Sequence, residues 1–334
     1  MIMKEEYKRI RAYHSGFILW LLDMLILAPY YFYKRRKTCQ SLTLDYAGGD
    51  RKGIEQDIKK GAIFLTNHRD IVMDSAFLSC LLRLRYNIRP FIGIGNNLFR
   101  KWWIEPFVRF NHCFVVIRGD NPRNSVEHAK VLSGYLTHLR QRHRSIWLAQ
   151  REGRAKDSND LTQPSVLKML TINHEDFIAG LRELNICPVS LSYEYDPCDY
   201  LKAKEMLIKR DNPAARKGPK DDVVSMQVGI NGWKGRVVFR MTPSINHWLD
   251  EHEAELKELP RNEQAQLVAA QIDKQIHSNY EIFERGPEFE QYLQGQLAKI
   301  KMKDKDDEFL MAKMREMYNN PVINYEKSHL SGVL

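Results

Sequence analysis

The sequence predicts an α/β fold in which a mixed, mostly parallel central sheet is flanked by helices and followed by a helical C-terminal region. Three observations lead there. Short apolar, β-branched runs recur at GAIFLT (61–66), PFIGIG (90–95), CFVVIR (113–118), SIWLA (145–149), ICPVSLSYEY (186–195) and GRVVFRM (235–241), each of strand length. Helix-length patterns separate them at 71–85 and 126–139, and strands alternating with helices form a sheet covered on both faces. Beyond residue 245 the pattern is helical only, with Val268, Ile272 and Ile276 along one face.

With 334 residues, 43% of them hydrophobic, the chain can bury one large core or two smaller ones. Three regions are expected: 1–45 as a basic, amphiphilic attachment segment, 46–245 as the α/β domain, and 246–334 as a helical extension. The first contains GFILWLLDMLILAPYYFY at 16–33, barely long enough to cross a hydrocarbon core. Asp23 near its middle costs about 2.5–3.5 kcal/mol on the insertion scale, which roughly cancels what the nine Leu, Ile and Phe residues return. Lys8, Arg9 and Arg11 precede the segment and Lys34-Arg35-Arg36-Lys37 follow it, so charge gives no orientation. A membrane-associated helix lying in the interface satisfies both flanks, with Trp20 and the Tyr30-Tyr31-Phe32-Tyr33 cluster at headgroup level. The alternative is a core helix of the soluble domain; no small-residue site follows that would mark a cleaved signal peptide.

Within the α/β region Ser125 is the expected N-cap of the 126–139 helix, and KRDNPAARKGPKDD (209–222) reads as a charged surface loop. Gly93-x-Gly95-Asn96-Asn97 lacks the third glycine of a dinucleotide motif and reads as a turn beside an acceptor cleft. No internal repeat or low-complexity tract interrupts the pattern.

Lys plus Arg number 51 against 42 Asp plus Glu, a formal charge of +9 that favours lipid headgroups, phosphorylated metabolites or acidic carrier proteins. The basic residues interleave with acids and no recognition motif appears, so nucleic acid is not an expected partner. Five cysteines, without a C-x-x-C pair and mostly inside apolar runs, point to a reducing, cytosol-facing setting, hence to peripheral or monotopic attachment at the cytoplasmic face of a membrane.

The sharpest local feature is Thr66-Asn67-His68-Arg69-Asp70-Ile71-Val72-Met73-Asp74-Ser75, which follows a buried strand and opens a helix. It gathers a histidine and two carboxylates at the C-terminal end of a strand, where open α/β sheets bind ligands. Six residues along one helix rotate by roughly 600°, so His68 reaches Asp74 only if it lies in the turn before the helix. A structural histidine and a capping aspartate would leave the same pattern.

Three further stretches accompany this one in a recognisable order. FVVIRGD is a strand run ending at Arg118, QREGRAKD holds Glu152 and Gly153 in a turn, and ICPVSLSYEY carries Pro188 inside a strand. With NHRDIVMD these make residues from about 60 to 245 resemble the glycerol-3-phosphate and lysophosphatidate acyltransferase family, whose motifs are a His-x4-Asp box, a strand ending in Arg, an E-G-x-R turn and a strand containing Pro. Two departures stand out. Five residues, not four, separate His68 from Asp74, so that either the turn holds one more residue or Asp70 shares the role; and Glu152-Gly153-Arg154 lacks the residue between Gly and Arg.

The resemblance implies acyl transfer from acyl-ACP or acyl-CoA to a hydroxyl of lysophosphatidate or glycerol-3-phosphate at a membrane surface, with no bound cofactor and no metal. A neutral imidazole, with a free pKa of ~6.5, can take the proton of such a hydroxyl, which gives His68 the role of general base. Asp74 then orients the ring and stabilises the imidazolium. Arg118, Arg151 and Arg154 are the candidates for an acceptor phosphate, because guanidinium groups bind phosphate in a bidentate way. Glu152 and Gly153 complete the candidate site, and backbone amides at the start of the 71–85 helix or near Gly153 could meet the oxyanion. Two other readings are a metal-dependent hydrolase using His68, Asp70 and Asp74, and a non-catalytic membrane-binding module.

Overall fold

The computed structural model describes residues 5–12, 25, 28–96, 104–117, 121–218 and 220–330. The strands are β1 (Ser41–Tyr46), β2 (Ile63–Thr66), β3 (Phe91–Gly95), β4 (Cys113–Val116), β5 (Ile146–Ala149), β6 (Ile186–Tyr193) and β7 (Arg236–Met241). The helices used below are α1 (Ala28–Thr38), α2 (Arg51–Lys59), α3 (Met73–Tyr86), α4 (Ile104–Phe110), α5 (Pro122–Arg140), α6 (Pro164–Leu170), α7 (Phe177–Leu184), α8 (Asp199–Asp211) and α9 (Asp221–Asn231), then α10 (Ile245–Lys257), α11 (Arg261–His277), α12 (Pro287–Lys299) and α13 (Asp307–Leu330).

The strands form one sheet in the order β1-β7-β6-β2-β5-β3-β4. Neighbours run parallel except β6 and β7, which are antiparallel. The fold is therefore α/β with a mixed, mostly parallel sheet. Side-chain alternation in β2 divides the core: Ile63 and Leu65 point to the face covered by α5, α6, α7, α10 and α11, while Phe64 points to the face covered by α2 and α3. With both faces covered, β2 and β6 are apolar or small at nearly every position and wholly buried.

Pro188 sits in β6 without breaking the sheet because the ladder to β7 begins only at Val189, while the Pro188 carbonyl accepts the Thr242 amide at 3.1 Å and its hydroxyl at 2.8 Å. Gly93 lies within β3 and not in a turn; a Cβ there would stand 2.5 Å from the Leu148 side chain and 3.0 Å from Phe114, so the position needs glycine for strand packing. The six strand runs expected from the sequence are all strands. β1 was not among them: SLTLDY alternates and gains its regularity from pairing with β7.

The helix expected over 126–139 starts earlier. Its N-cap is Asn121, whose side chain accepts the Asn124 amide at 2.9 Å, with Pro122 in the first turn. Ser125 is already inside, its hydroxyl bonded to the Asn121 carbonyl. The charged stretch 209–222 begins within α8 and ends within α9, with 212–218 and 220 between them. Of the apolar segment 16–33, residues 16–24 and 26–27 lie outside the described residues; Leu25 is exposed and the rest begins α1. Among the described residues no helix is long and apolar enough to cross a membrane.

The C-terminal region builds a core of its own. Ala203 and Leu207 of α8 meet Phe289, Leu293 and Leu297 of α12 and Leu310, Met314 and Met317 of α13. At its centre Asp199 accepts the hydroxyls of Tyr292 (3.0 Å) and Tyr318 (2.8 Å), the Gln296 amide (2.6 Å) and the Tyr200 N–H.

Phe64→Ala should lower unfolding free energy by about 3–5 kcal/mol in a denaturant titration, since the ring is fully buried; an unchanged midpoint would contradict the core assignment. Burial, and then the neighbouring Asp196, push the Asp199 carboxyl up to about 7. A carboxyl whose pKa is raised on folding favours the folded state below its unfolded value and loses that contribution as pH rises through the folded one. Relative to Asp199→Asn, the wild-type chain should therefore lose stability as pH is raised from about 4 to about 8. Parallel stability–pH curves for the two proteins would rule this out.

Candidate active site

The chain leaves β2 at Thr66 and turns through 67–72 before α3 begins. Asn67 extends the strand by proxy: its Nδ2 donates to the Leu191 carbonyl and its Oδ1 accepts the Leu191 amide, both at 2.8 Å, so the side chain imitates a backbone unit on β6. That anchor presents His68 at the sheet's C-terminal edge. Its side chain is 13% exposed, against 0% for Asp74 in the first turn of α3.

His68 Nδ1 and Asp74 Oδ2 are 2.8 Å apart. The same oxygen accepts the amides of Arg69 (2.7 Å) and Asp70 (2.9 Å), and Oδ1 accepts the Tyr193 hydroxyl at 2.8 Å. All of these donors converge on one buried carboxylate, and both of its oxygens have a partner. A carboxylate can only accept here, so the Nδ1–H points at Asp74, and in the neutral ring the lone pair falls to Nε2. Trp147 stands edge-on to the imidazole, with ring centroids 5.7 Å apart, and closes one side of it.

The extra residue between His68 and Asp74 is absorbed by the turn, and Asp70 has separate work. Its Oδ1 accepts the Val72 and Met73 amides, both at 2.9 Å, which caps α3. Burial first, and Asp74 second, raise the Asp70 carboxyl above the ordinary range, opposed by the buried Lys234 ammonium. Two of the amides at the helix start that could have met an oxyanion, those of Val72 and Met73, are thereby engaged; the neighbourhood of Gly153 is the other candidate.

That neighbourhood adjoins the turn, because β5 pairs with β2 up to Ala149 opposite Thr66. The Gln150 amide bonds the Thr66 carbonyl at 2.9 Å, and Gln163 Oε1 accepts the Glu152 amide at 2.8 Å. Gly153 adopts φ +72°, a left-handed conformation that favours glycine. Glu152 and Gly153 are exposed, Arg151 is half-buried and Arg154 is buried. Arg154 lies near Asp196: burial raises that carboxyl, but Lys202, the Cys198 amide and Arg154 together hold it below the usual range. Among the described residues Arg151 Nε and Arg154 Nη1 have no hydrogen-bond partner. Arg118 lies outside the described residues; it follows β4, which β3 separates from β5.

Residues 50–189 match the family model described as Acyltransferase. This stretch is similar to acyltransferases. The matched span holds the His68 turn, the 150–154 loop and Pro188, and supports acyl transfer as the general chemistry. No curated protein matches the chain. β7 and every helix from α8 onward lie beyond the matched acyltransferase span.

Two contributors were missed in the sequence. Tyr193 lies beyond the match, and its phenol donates to Asp74 from the end of β6; burial, then Asp74, push its pKa well above the ordinary value, so it holds its proton. Asn67 is the second, through its side-chain bonds to Leu191. Its position between a strand and the histidine was the available signal. A metal centre on His68, Asp70 and Asp74 gains nothing from this geometry, since a cation would have to displace the donors already on Asp74, and no metal-sized cluster of His, Cys, Asp and Glu occurs among the described residues.

Removing the phenol of Tyr193 leaves Asp74 Oδ1 buried and short of a partner. Tyr193→Phe should cost about 1–3 kcal/mol of unfolding free energy. Calorimetry or denaturation would show it, and a stability equal to wild type would mean the bond contributes nothing.

Proposed function

We propose that the chain transfers a fatty acyl group from acyl-ACP or acyl-CoA to a hydroxyl of lysophosphatidate or glycerol-3-phosphate, at the cytoplasmic face of a membrane to which it attaches without spanning it. The observation that carries this reading is the 2.8 Å contact between His68 Nδ1 and Asp74 Oδ2 inside the stretch that is similar to acyltransferases. It leaves Nε2 as the basic nitrogen, on a ring that is partly open to solvent.

In this reading the acceptor hydroxyl gives its proton to His68 Nε2 as its oxygen attacks the thioester carbonyl carbon. The imidazolium is stabilised by Asp74, which stays ionised throughout. The tetrahedral intermediate collapses by breaking the C–S bond, and the proton on Nε2 passes to the departing thiolate. No acyl-enzyme is needed and the base is regenerated. Arg151 and Arg154, each with an N–H that lacks a partner among the described residues, are suited to the acceptor's phosphate, and Arg118 is carried over from the resemblance alone. Glu152, beside Gly153, would hold one of these guanidinium groups or an acceptor hydroxyl.

The test is an assay of purified protein with acyl-ACP and acyl-CoA donors against glycerol-3-phosphate, lysophosphatidate and other lysolipids. His68→Ala should reduce kcat/KM by about 10²- to 10⁴-fold with the fold unchanged by circular dichroism. Full activity in that variant would sink the mechanism, and no transfer from any donor to any acceptor would sink the substrate class.

A further inference from the structure

Helices α1 and α9 are neighbours on the surface, joined where Lys34 Nζ donates to Asn231 Oδ1 at 2.5 Å. Tyr31 turns inward: burial, then Cys113, push its hydroxyl up to about 12, with Arg89 acting the other way. Around it Tyr30, Phe32 and Tyr33 are exposed. On α9 the exposed face runs through Val224, Gln227 and Asn231 at helical spacing, with Val223 beside it. Trp233 follows, 48% exposed, and the next residue ties it to the end of α1, because the Lys234 amide bonds the Thr38 carbonyl at 2.7 Å.

The cations at this face fit the rings. Lys34 lies over Tyr30 and Tyr33, and Lys37 over Tyr33, with Arg35 and Arg36 exposed alongside. The acids at the start of α9 are engaged locally: Asp221 Oδ2 accepts the Gly218 amide and Asp222 pairs with Lys217. The patch is thus aromatic and aliphatic with a net basic border. Aromatic rings with polar tips favour the headgroup region, and lysine and arginine gain from anionic lipid beside it. A bilayer surface meets all of these at once, its headgroup region taking the rings, its anionic charge the cations and its acyl boundary the valines.

We infer that α1, the exposed face of α9 and Trp233 form one docking surface for an anionic lipid bilayer. This rests on the membrane attachment proposed above and extends it to a second helix, distant in sequence, which fixes how the domain stands on the bilayer. Two helices in contact hold orientation in a way that one helix, free to roll about its axis, does not.

The test uses the full chain and sucrose-loaded vesicles of equal parts phosphatidylglycerol and phosphatidylcholine, read by co-sedimentation, beside turnover on glycerol-3-phosphate. Wild type should bind, and less so as salt is raised. The double variant Val224→Asp/Trp233→Asp should partition at least about tenfold more weakly, since two side chains no longer leave water. Its melting curve and its turnover on the soluble acceptor should match wild type. Val224→Ser/Trp233→Ser serves if the aspartates disturb folding. Equal partition of variant and wild type overturns the inference, as does a wild-type chain that ignores these vesicles. Vesicle binding retained by the variant together with lost binding to acyl carrier protein overturns it in favour of a protein partner. Absence of turnover on glycerol-3-phosphate in wild type would strike that acceptor, with the acyl-transfer reading decided by the wider acceptor panel, and leave the vesicle result standing.

Discussion

The Asp74 carboxylate is the constraint on which the rest of this site depends. It is fully buried, which for an isolated charge would cost several kcal/mol, and it is tolerable because the His68 ring, two backbone amides and a phenol all donate to it. Those donors come from the turn after β2 and from the end of β6, while the acceptor sits on α3. One anion therefore joins three elements, and the turn between β2 and α3 has little freedom left. The ring orientation that leaves Nε2 basic is a consequence of that closure.

Much of this was legible in the sequence, for physical reasons that can be named. β2 and β6 have covered faces, so their apolar runs are continuous and conspicuous; the helical faces of α3, α5 and α11 follow from period 3.6. β1 escaped notice because an edge strand needs apolar side chains on one side only, and SLTLDY spends half its residues on solvent. The cap of α5 was misplaced because Ser125 and Asn121 both carry capping chemistry, and only Pro122, which belongs in a first turn, distinguishes them. His68 and Asp74 could be named together since a turn allows what a helix forbids. Their partner Tyr193, 119 residues away in sequence, could not. A tyrosine at the end of a strand looks like any aromatic strand residue until the fold brings the ends of β2 and β6 side by side.

The region beyond the acyltransferase match takes part in holding the turn. Arg69, next to His68, has its guanidinium 3.2 Å from Asp160, and its carbonyl accepts Lys202 Nζ from α8. Lys202 is paired in turn with Asp196, whose amide bonds Tyr318 of α13. Exchanging such buried ions for hydrocarbon often leaves a protein as stable or more so, and stability alone is a poor account of them. What hydrocarbon could not do is fix direction. A buried ammonium bonded at once to the Arg69 carbonyl and the Asp196 carboxylate defines the position of the turn relative to α8 within hydrogen-bond tolerance. Polar groups held in place before a reaction begins need no reorganisation as charge develops, and on the proposal that His68 is the base this is what the surroundings would contribute. Lys202 and, behind it, Tyr318 thus link the helices beyond residue 189 to the His68 turn, and a sequence match that stops there leaves out Tyr193 and Lys202, two of the groups that hold that turn.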